Sequence, residues 1–242
     1  MSIKIENLTK SFEKKKVLNN VSFSVSDGEI LAVVGFSGSG KSTILKLICE
    51  LIKPDSGTIT TSQGDIAMSF QYSALFDSLN IEDNIAFALR ERKDLRNKFS
   101  EKEIKEKVQE KLKMVGLEGI EKKFPHELSG GMQKRVSFAR AIITNPTTIL
   151  YDEPTAGLDP VSSTIIEDYI VTLKNELKAA SIVVTHQMST ILRTADKVIM
   201  LYDGNIVFEG TKDEFLKQDN EYTKQFITAS IEGPMKVQAK EN

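Results

Sequence analysis

Gly35-Phe36-Ser37-Gly38-Ser39-Gly40-Lys41-Ser42 fits the pattern G-x-x-x-x-G-K-[ST] at every fixed position. Glycines at these places let the backbone approach a phosphate chain, with successive N–H groups turned inward and a helix start behind them. Lys41 is the expected partner of the β- and γ-phosphates, and the Ser42 hydroxyl is an expected Mg²⁺ ligand. Ile30-Leu31-Ala32-Val33-Val34 reads as a buried strand just before the loop, and Ser42 to Ile48 as a helix just after it. That strand–loop–helix context argues against a chance glycine-rich turn. Gly35, Ser37, Gly38, Ser39, Gly40, Lys41, Ser42 and Thr43 are the expected phosphate-binding residues.

The composition sets bounds. A chain of 242 residues, 40% apolar, suffices for one large domain with a core. A net charge of −2 gives no basic footprint for nucleic acid. The single cysteine, Cys49, cannot form an internal disulfide and reads as a small buried hydrophobe in a reduced setting. Met1 to Glu6 lacks the apolar centre of a signal peptide. No apolar run approaches the ~20 residues a membrane helix requires. The expectation is a soluble chain that works at a membrane only through a partner.

Outward from the loop, strands dominate the first third. Ile3 to Leu8 alternates, Val21 to Val25 alternates strictly, and turns at Ser26–Glu29 and Pro54–Gly57 precede further strands at Thr58–Thr60 and Ile66–Phe70. From Ile81 to Glu127 the chain becomes charged and helical, with Ile104, Val108, Leu112 and Val115 on one face. Beyond it come a strand at Thr148–Tyr151 and a helix carrying Val161, Ile165, Ile166, Tyr169, Ile170, Leu173 and Leu177 as an apolar face. A strand at Ser181–Thr185 follows, then a hairpin turning at Asp203-Gly204. The fold class is α/β: a P-loop NTPase core with a mostly parallel sheet and an antiparallel β subdomain, plus an inserted helical subdomain. One domain is read over 1–232, its core about 1–80 and 128–215 and its helical subdomain about 81–127. A C-terminal extension is read over 216–242, polar and loosely ordered from Gly233 to Asn242.

Two more elements carry chemistry. Thr148-Ile149-Leu150-Tyr151 delivers Asp152 and Glu153 to a strand end, where ligands of parallel sheets bind. Asp152 is placed to hold Mg²⁺ and Glu153 to polarise an attacking water. Leu128-Ser129-Gly130-Gly131-Met132-Gln133 opens a second helix with a glycine-rich lead, hence a second anion site. Two phosphate-binding helix starts on different subdomains suggest different nucleotides. In a head-to-tail dimer, each Ser129–Gln133 segment closes over the phosphate loop of the other copy.

With these three segments the chain resembles the ATP-binding subunit of an ABC transporter, from its N-terminus to about Gly210. The resemblance implies ATP and Mg²⁺, a homodimer, and integral-membrane permease subunits. It also implies roles at matching positions. Phe12 stacks on adenine. Gln71 contacts Mg²⁺ and the attacking water. Ser129, Gly130, Gly131 and Gln133 contact the partner's nucleotide. Asp159 couples the two sites, and His186 hydrogen-bonds the γ-phosphate. His126 carries no assignable role.

Phe70-Gln71-Tyr72-Ser73-Ala74-Leu75-Phe76-Asp77-Ser78-Leu79 is more narrowly similar to the loop of Mla-type phospholipid-transport ATPases, which work with MCE-domain proteins. Gly-Gly-Met-Gln-Lys-Arg and the Glu232-Gly233-Pro234 tail lean the same way. In that family a C-terminal extension reaches over the partner ATPase, and a small regulatory subunit is a further possible partner, on the helical subdomain. After Pro234 this chain departs from the pattern: Met235-Lys236-Val237-Gln238 stands where aromatics are expected. The resemblance implies a peripheral protein on the cytoplasmic face of the inner membrane. Two alternatives stay open: the ATPase of a small-solute importer or exporter, and a non-transport ABC clamp on DNA or ribosomes.

Overall fold

In the computed structural model, which describes residues 2–13 and 15–236, the alternation of the first strand slips between Ile5 and Leu8. β1 (Ile3–Phe12) pairs antiparallel with β2 (Lys15–Val25) and, on its other edge, with β4 (Ser56–Thr61). Ile3 and Ile5 face inward, but the next buried residue is Leu8, not Asn7. The pairing shifts between Ile5 and Leu8, with Asn7 at φ +52°. An extra residue there turns Leu8 back to the core.

The second sheet has the order β5-β6-β7-β3-β8-β9. Its strands are β3 (Ile30–Val34), β5 (Ile66–Ser69), β6 (Thr148–Asp152), β7 (Ala180–Val184), β8 (Lys197–Tyr202) and β9 (Asn205–Thr211). Each neighbouring pair from β5 to β8 is parallel, and β9 returns antiparallel through Asp203-Gly204. The expected α/β class with a separate antiparallel sheet is what the structure has. β3 and β7 are buried at every position, as strands covered on both faces require.

Successive residues of β6 serve opposite layers. Leu150 joins the cluster formed with the antiparallel sheet and α1 (Lys41–Ile48), whereas Ile149 and Tyr151 join a larger cluster with the helices. Those helices are α2 (Ile81–Glu91), α3 (Glu101–Met114), α4 (Gly130–Ala141) and α5 (Pro160–Leu177). Ile104, Val108, Leu112 and Val115 are all buried, as their spacing predicts. Ser100 and Glu103 form a reciprocal cap at the start of α3. One apolar cluster runs unbroken from α2 and α3 through α4 to the sheet.

Two expectations are corrected. Of the seven residues read as the apolar face of α5, Ile166, Ile170 and Leu173 are buried, but Val161 is 71% and Ile165 40% exposed, and Glu167 is buried instead. The inward stripe is narrower than the run of apolar residues. The tail is also different. A third cluster gathers β8, α6 (Met188–Thr194), α7 (Lys212–Leu216) and α8 (Glu221–Ile227), and Met235 sits inside it at 1% exposure. The buried Gln225 accepts from the Met235 N–H at 2.8 Å and donates to its carbonyl at 2.9 Å. Gly233 passes so close that a Cβ there would lie 2.3 Å from Gln225 Oε1. Gly233 to Lys236 is therefore packed, not loose; Val237 to Asn242 lies outside the described residues.

Met235→Ala is expected to cost about 2–3 kcal/mol by opening a cavity. That is a melting-temperature drop of roughly 4–12 °C for a domain of this size, read by circular dichroism. An unchanged melting curve would show that the tail contributes no packing.

Candidate active site

The phosphate loop leaves β3 at Val34 and enters α1 at Lys41. Gly35 has φ +146°, and a Cβ on it would stand 2.3 Å from the Leu201 carbonyl oxygen, so no other residue fits. Ser37 and Gly38 form the exposed tip. Lys41 is only 8% exposed and donates to the Gly35 and Phe36 carbonyls, each at 2.9 Å. Burial lowers its pKa, while Glu153 and Asp152 push it back up. Ser39 Oγ is buried without a hydrogen-bond partner. An orphaned hydroxyl in the phosphate loop fits a phosphate oxygen.

Parallel pairing puts the ends of β3, β6 and β7 side by side. Ser42 Oγ donates to Asp152 Oδ1 at 2.9 Å, joining the loop to β6. Burial raises the Asp152 pKa, against the Ser42 bond, and the Glu153 charge raises it further. Hydroxyl and carboxylate oxygens are the hard donors that suit Mg²⁺. Glu153 follows at φ +46°, an uncommon conformation for a glutamate. Its Oε1 lies 2.9 Å from His186 Nδ1, and its Oε2 is buried with no partner. His186, just past β7, has a side chain 60% exposed. A carboxylate with one buried free oxygen can orient a water.

The remaining expected residues stand around this centre. Gln71 is exposed beyond β5, and its carbonyl accepts from Lys134 on α4. Phe12 is 45% exposed at the end of β1, with the Lys10 ammonium 5.5 Å from its ring centroid. Ser129 caps α4 by accepting from the Met132 N–H at 3.3 Å, and Asp159 caps α5 by accepting from Val161 and Ser162, each at 3.0 Å. A Cβ on Gly131 would be 3.7 Å from Ser162, so these two helix starts share an edge. Ser129 and Gly130 are exposed there, and the first turn of α4 holds no acid. The Gln133 side chain is turned into its own chain, donating to Pro125 and accepting from Ser73.

Sequence reading missed three tethers of the 70–76 loop. Besides Gln133, Lys134 donates to the Phe70 carbonyl at 3.3 Å, and Arg140 donates to the carbonyls of Ala74 at 2.8 Å and Ser73 at 3.1 Å. Lys134 is 5% exposed, with a pKa lowered by burial and raised by Asp152. Its partner Phe70 lies 64 residues earlier in the chain, so no local pattern signals the contact. An open cleft of about 360 Å³ lies between this loop, the start of α4 and Ala156–Leu158.

The sequence signature of the ABC transporter family matches residues 18–156. Protein TRIGALACTOSYLDIACYLGLYCEROL 3, chloroplastic, of Arabidopsis thaliana is 42% identical, over 97% of this chain and 75% of that protein. The probable ribonucleotide transport ATP-binding protein Mkl of Mycobacterium tuberculosis is 37% identical over 97% of this chain and 68% of that protein. The intermembrane phospholipid transport system ATP-binding protein MlaF of Haemophilus influenzae is 35% identical over 97% of this chain and 93% of that protein. The dimeric post-hydrolysis structure of the ATP-binding cassette MJ0796 with ADP and phosphate superposes with a TM-score of 0.75. It is 32% identical and covers 87% of this chain and 98% of that one. With the phosphate loop, the paired acids and His186 gathered at adjacent strand ends, this chain belongs to the ABC transporter family, as an ATP-hydrolysing subunit.

Proposed function

We propose that this ATPase drives phospholipid transport between inner and outer membranes, as a nucleotide-sandwich homodimer on integral-membrane permease subunits. The observation that carries the lipid reading is the pair of lipid-named relatives, 42% and 35% identical, each aligned over 97% of the chain. The similarity of the Phe70–Leu79 loop to Mla-type ATPases supports it. An MCE-domain lipid-binding protein is the further partner, with a small regulatory subunit on the helical subdomain. The place of action is the cytoplasmic face of the inner membrane, reached through the permease. Among the described residues no helix is long and apolar enough to cross a membrane.

Lys41 and the loop amides offset charge on the transferring phosphoryl group, Glu153 orients the water, and His186 holds Glu153 and faces the γ-phosphate. Ser42, Asp152 and Gln71 are the residues that would hold Mg²⁺, which supplies charge neutralisation on the phosphate oxygens. Phe12 offers its ring to adenine. The exposed, acid-free start of α4 offers Ser129, Gly130 and Gly131 to the nucleotide of a second copy, with Asp159 beside them and Gln133 holding the segment in place. ATP then bridges two copies, and loss of the γ-phosphate opens them. The solved cassette dimer with ADP and phosphate supports that geometry.

A small-solute transporter is the second reading, favoured by the ribonucleotide-transport relative at 37% identity. Tagged protein extracted in mild detergent and analysed by mass spectrometry separates the two. A multi-span permease, an MCE-domain protein and retained phospholipid are expected. A permease with a solute-binding protein and no lipid overturns the lipid reading, and ribosomes or DNA overturn transport altogether.

A further inference from the structure

Behind Glu153 and His186 a line of buried polar side chains links their two loops and ends on a buried acid. Thr155, two residues past Glu153, is 0% exposed. Its Oγ1 lies 2.9 Å from the Oε1 position of Gln187, the neighbour of His186, and 3.1 Å from Thr190 Oγ1. Thr190, on α6, is 0% exposed and donates to Glu167 Oε1 at 2.8 Å; Ser189 donates to the same oxygen at 3.0 Å. Glu167, on α5, is also 0% exposed, and its other oxygen is 3.4 Å from Arg193 Nε.

The protons can be assigned. A carboxylate only accepts, so the Thr190 proton is committed to Glu167. Thr155 has one proton. Both of its contacts are hydrogen bonds only when that proton goes to Thr190 and the Gln187 amide is turned over, so that its nitrogen takes the place of the Oε1 that faces Thr155. The chain then runs one way, from Gln187 through Thr155 and Thr190 to Glu167, and each link polarises the next. A buried carboxylate is costly unless such donors meet it, so the line is fixed at its far end.

We propose that Thr155, Thr190 and Glu167 are positioning residues for ATP hydrolysis. Their hydrogen-bond chain locks the loop after β7 to the loop after β6 and so holds His186 against Glu153. The need for such a lock is local. Glu153 sits at a left-handed φ, and the His186 side chain is largely in solvent, so neither loop is fixed by its own conformation alone. Catalysis is steep in small misplacements of the reacting groups. This inference rests on the roles given above to Glu153 and His186.

The test is steady-state ATP hydrolysis by the full chain with Thr155→Val, which keeps the shape and removes the hydroxyl. The expected result is a kcat about tenfold lower with KM for ATP within about twofold, because the phosphate loop is untouched. Thr155→Ser should restore kcat. A purely structural threonine would lower the melting temperature and leave kcat intact below it. Wild-type kcat in folded Thr155→Val, or a loss that Thr155→Ser does not reverse, overturns the inference. Should Thr155→Val not fold, Thr190→Val breaks the same chain at its next link and carries the same expectation; full turnover in it overturns the inference. Glu153→Gln in the same assay separates the two failures. Undiminished turnover there sinks the site reading itself, whereas an inactive Glu153→Gln beside a fully active Thr155→Val sinks only the positioning chain.

Discussion

Glu153→Gln is expected to slow ATP turnover roughly 10²–10⁴-fold, the usual worth of a positioned base, while ATP still binds. The substitution keeps the side chain's shape and leaves the phosphate loop as it is. What changes is the oxygen pair. In the native chain Oε1 meets His186 at 2.9 Å, and Oε2 is buried without a partner. That free oxygen is the acceptor available to a water, and the amide replaces acceptor-only chemistry with a mixed donor and acceptor. Phosphate release and equilibrium ATP binding, measured on the same preparation, should therefore separate. Undiminished phosphate release would remove Glu153 from the role. Lost ATP binding together with lost turnover would mean that the variant had disturbed the loop rather than the chemistry.

The parts of this site that could be read from sequence are those where a short motif coincides with a strand end. The phosphate loop follows β3, and Asp152 and Glu153 close β6; His186, after β7, comes only from the family resemblance. Local order fixes them because adjacent parallel strands bring their ends together. Glu167 and Lys134 were not legible, since their importance comes from partners far along the chain. Glu167 lies on α5 among apolar residues of which Val161 and Ile165 prove to face solvent. Periodicity names a stripe, but a helix with apolar residues on two sides does not say which side meets the sheet. Met235 was misread for a related reason. A polar tail looks loose until Gln225, ten residues earlier, is seen to hold its backbone. The short helices α6, α7 and α8 have too few turns to show a period. Their local signals are caps, the Thr211–Glu214 pair of α7 and Asn220 before α8.

Lys41→Ala is expected to abolish nucleotide retention, a loss on the order of 10²-fold or more in affinity, since charged hydrogen bonds to phosphate are the strong ones. Two opposing effects act on the nucleotide-free fold. The variant strips a donor from the Gly35 and Phe36 carbonyls. It also removes a cation whose pKa burial has lowered. A lysine with a folded pKa below its unfolded value opposes folding in full below the folded pKa, and that opposition fades as pH rises from the folded to the unfolded pKa. Removing it offsets part of the lost hydrogen bonding, so the nucleotide-free melting temperature should move little. The contrast appears on adding Mg-ATP. The wild type should melt higher by mass action, and Lys41→Ala should not respond. The pH dependence follows from the same shift. Phosphate favours the charged amine, so wild-type ATP affinity should fall as pH rises into a range below that of a free lysine, and this slope should be missing in the variant. Tight, pH-independent ATP binding without Lys41 would contradict the phosphate-loop reading at its centre.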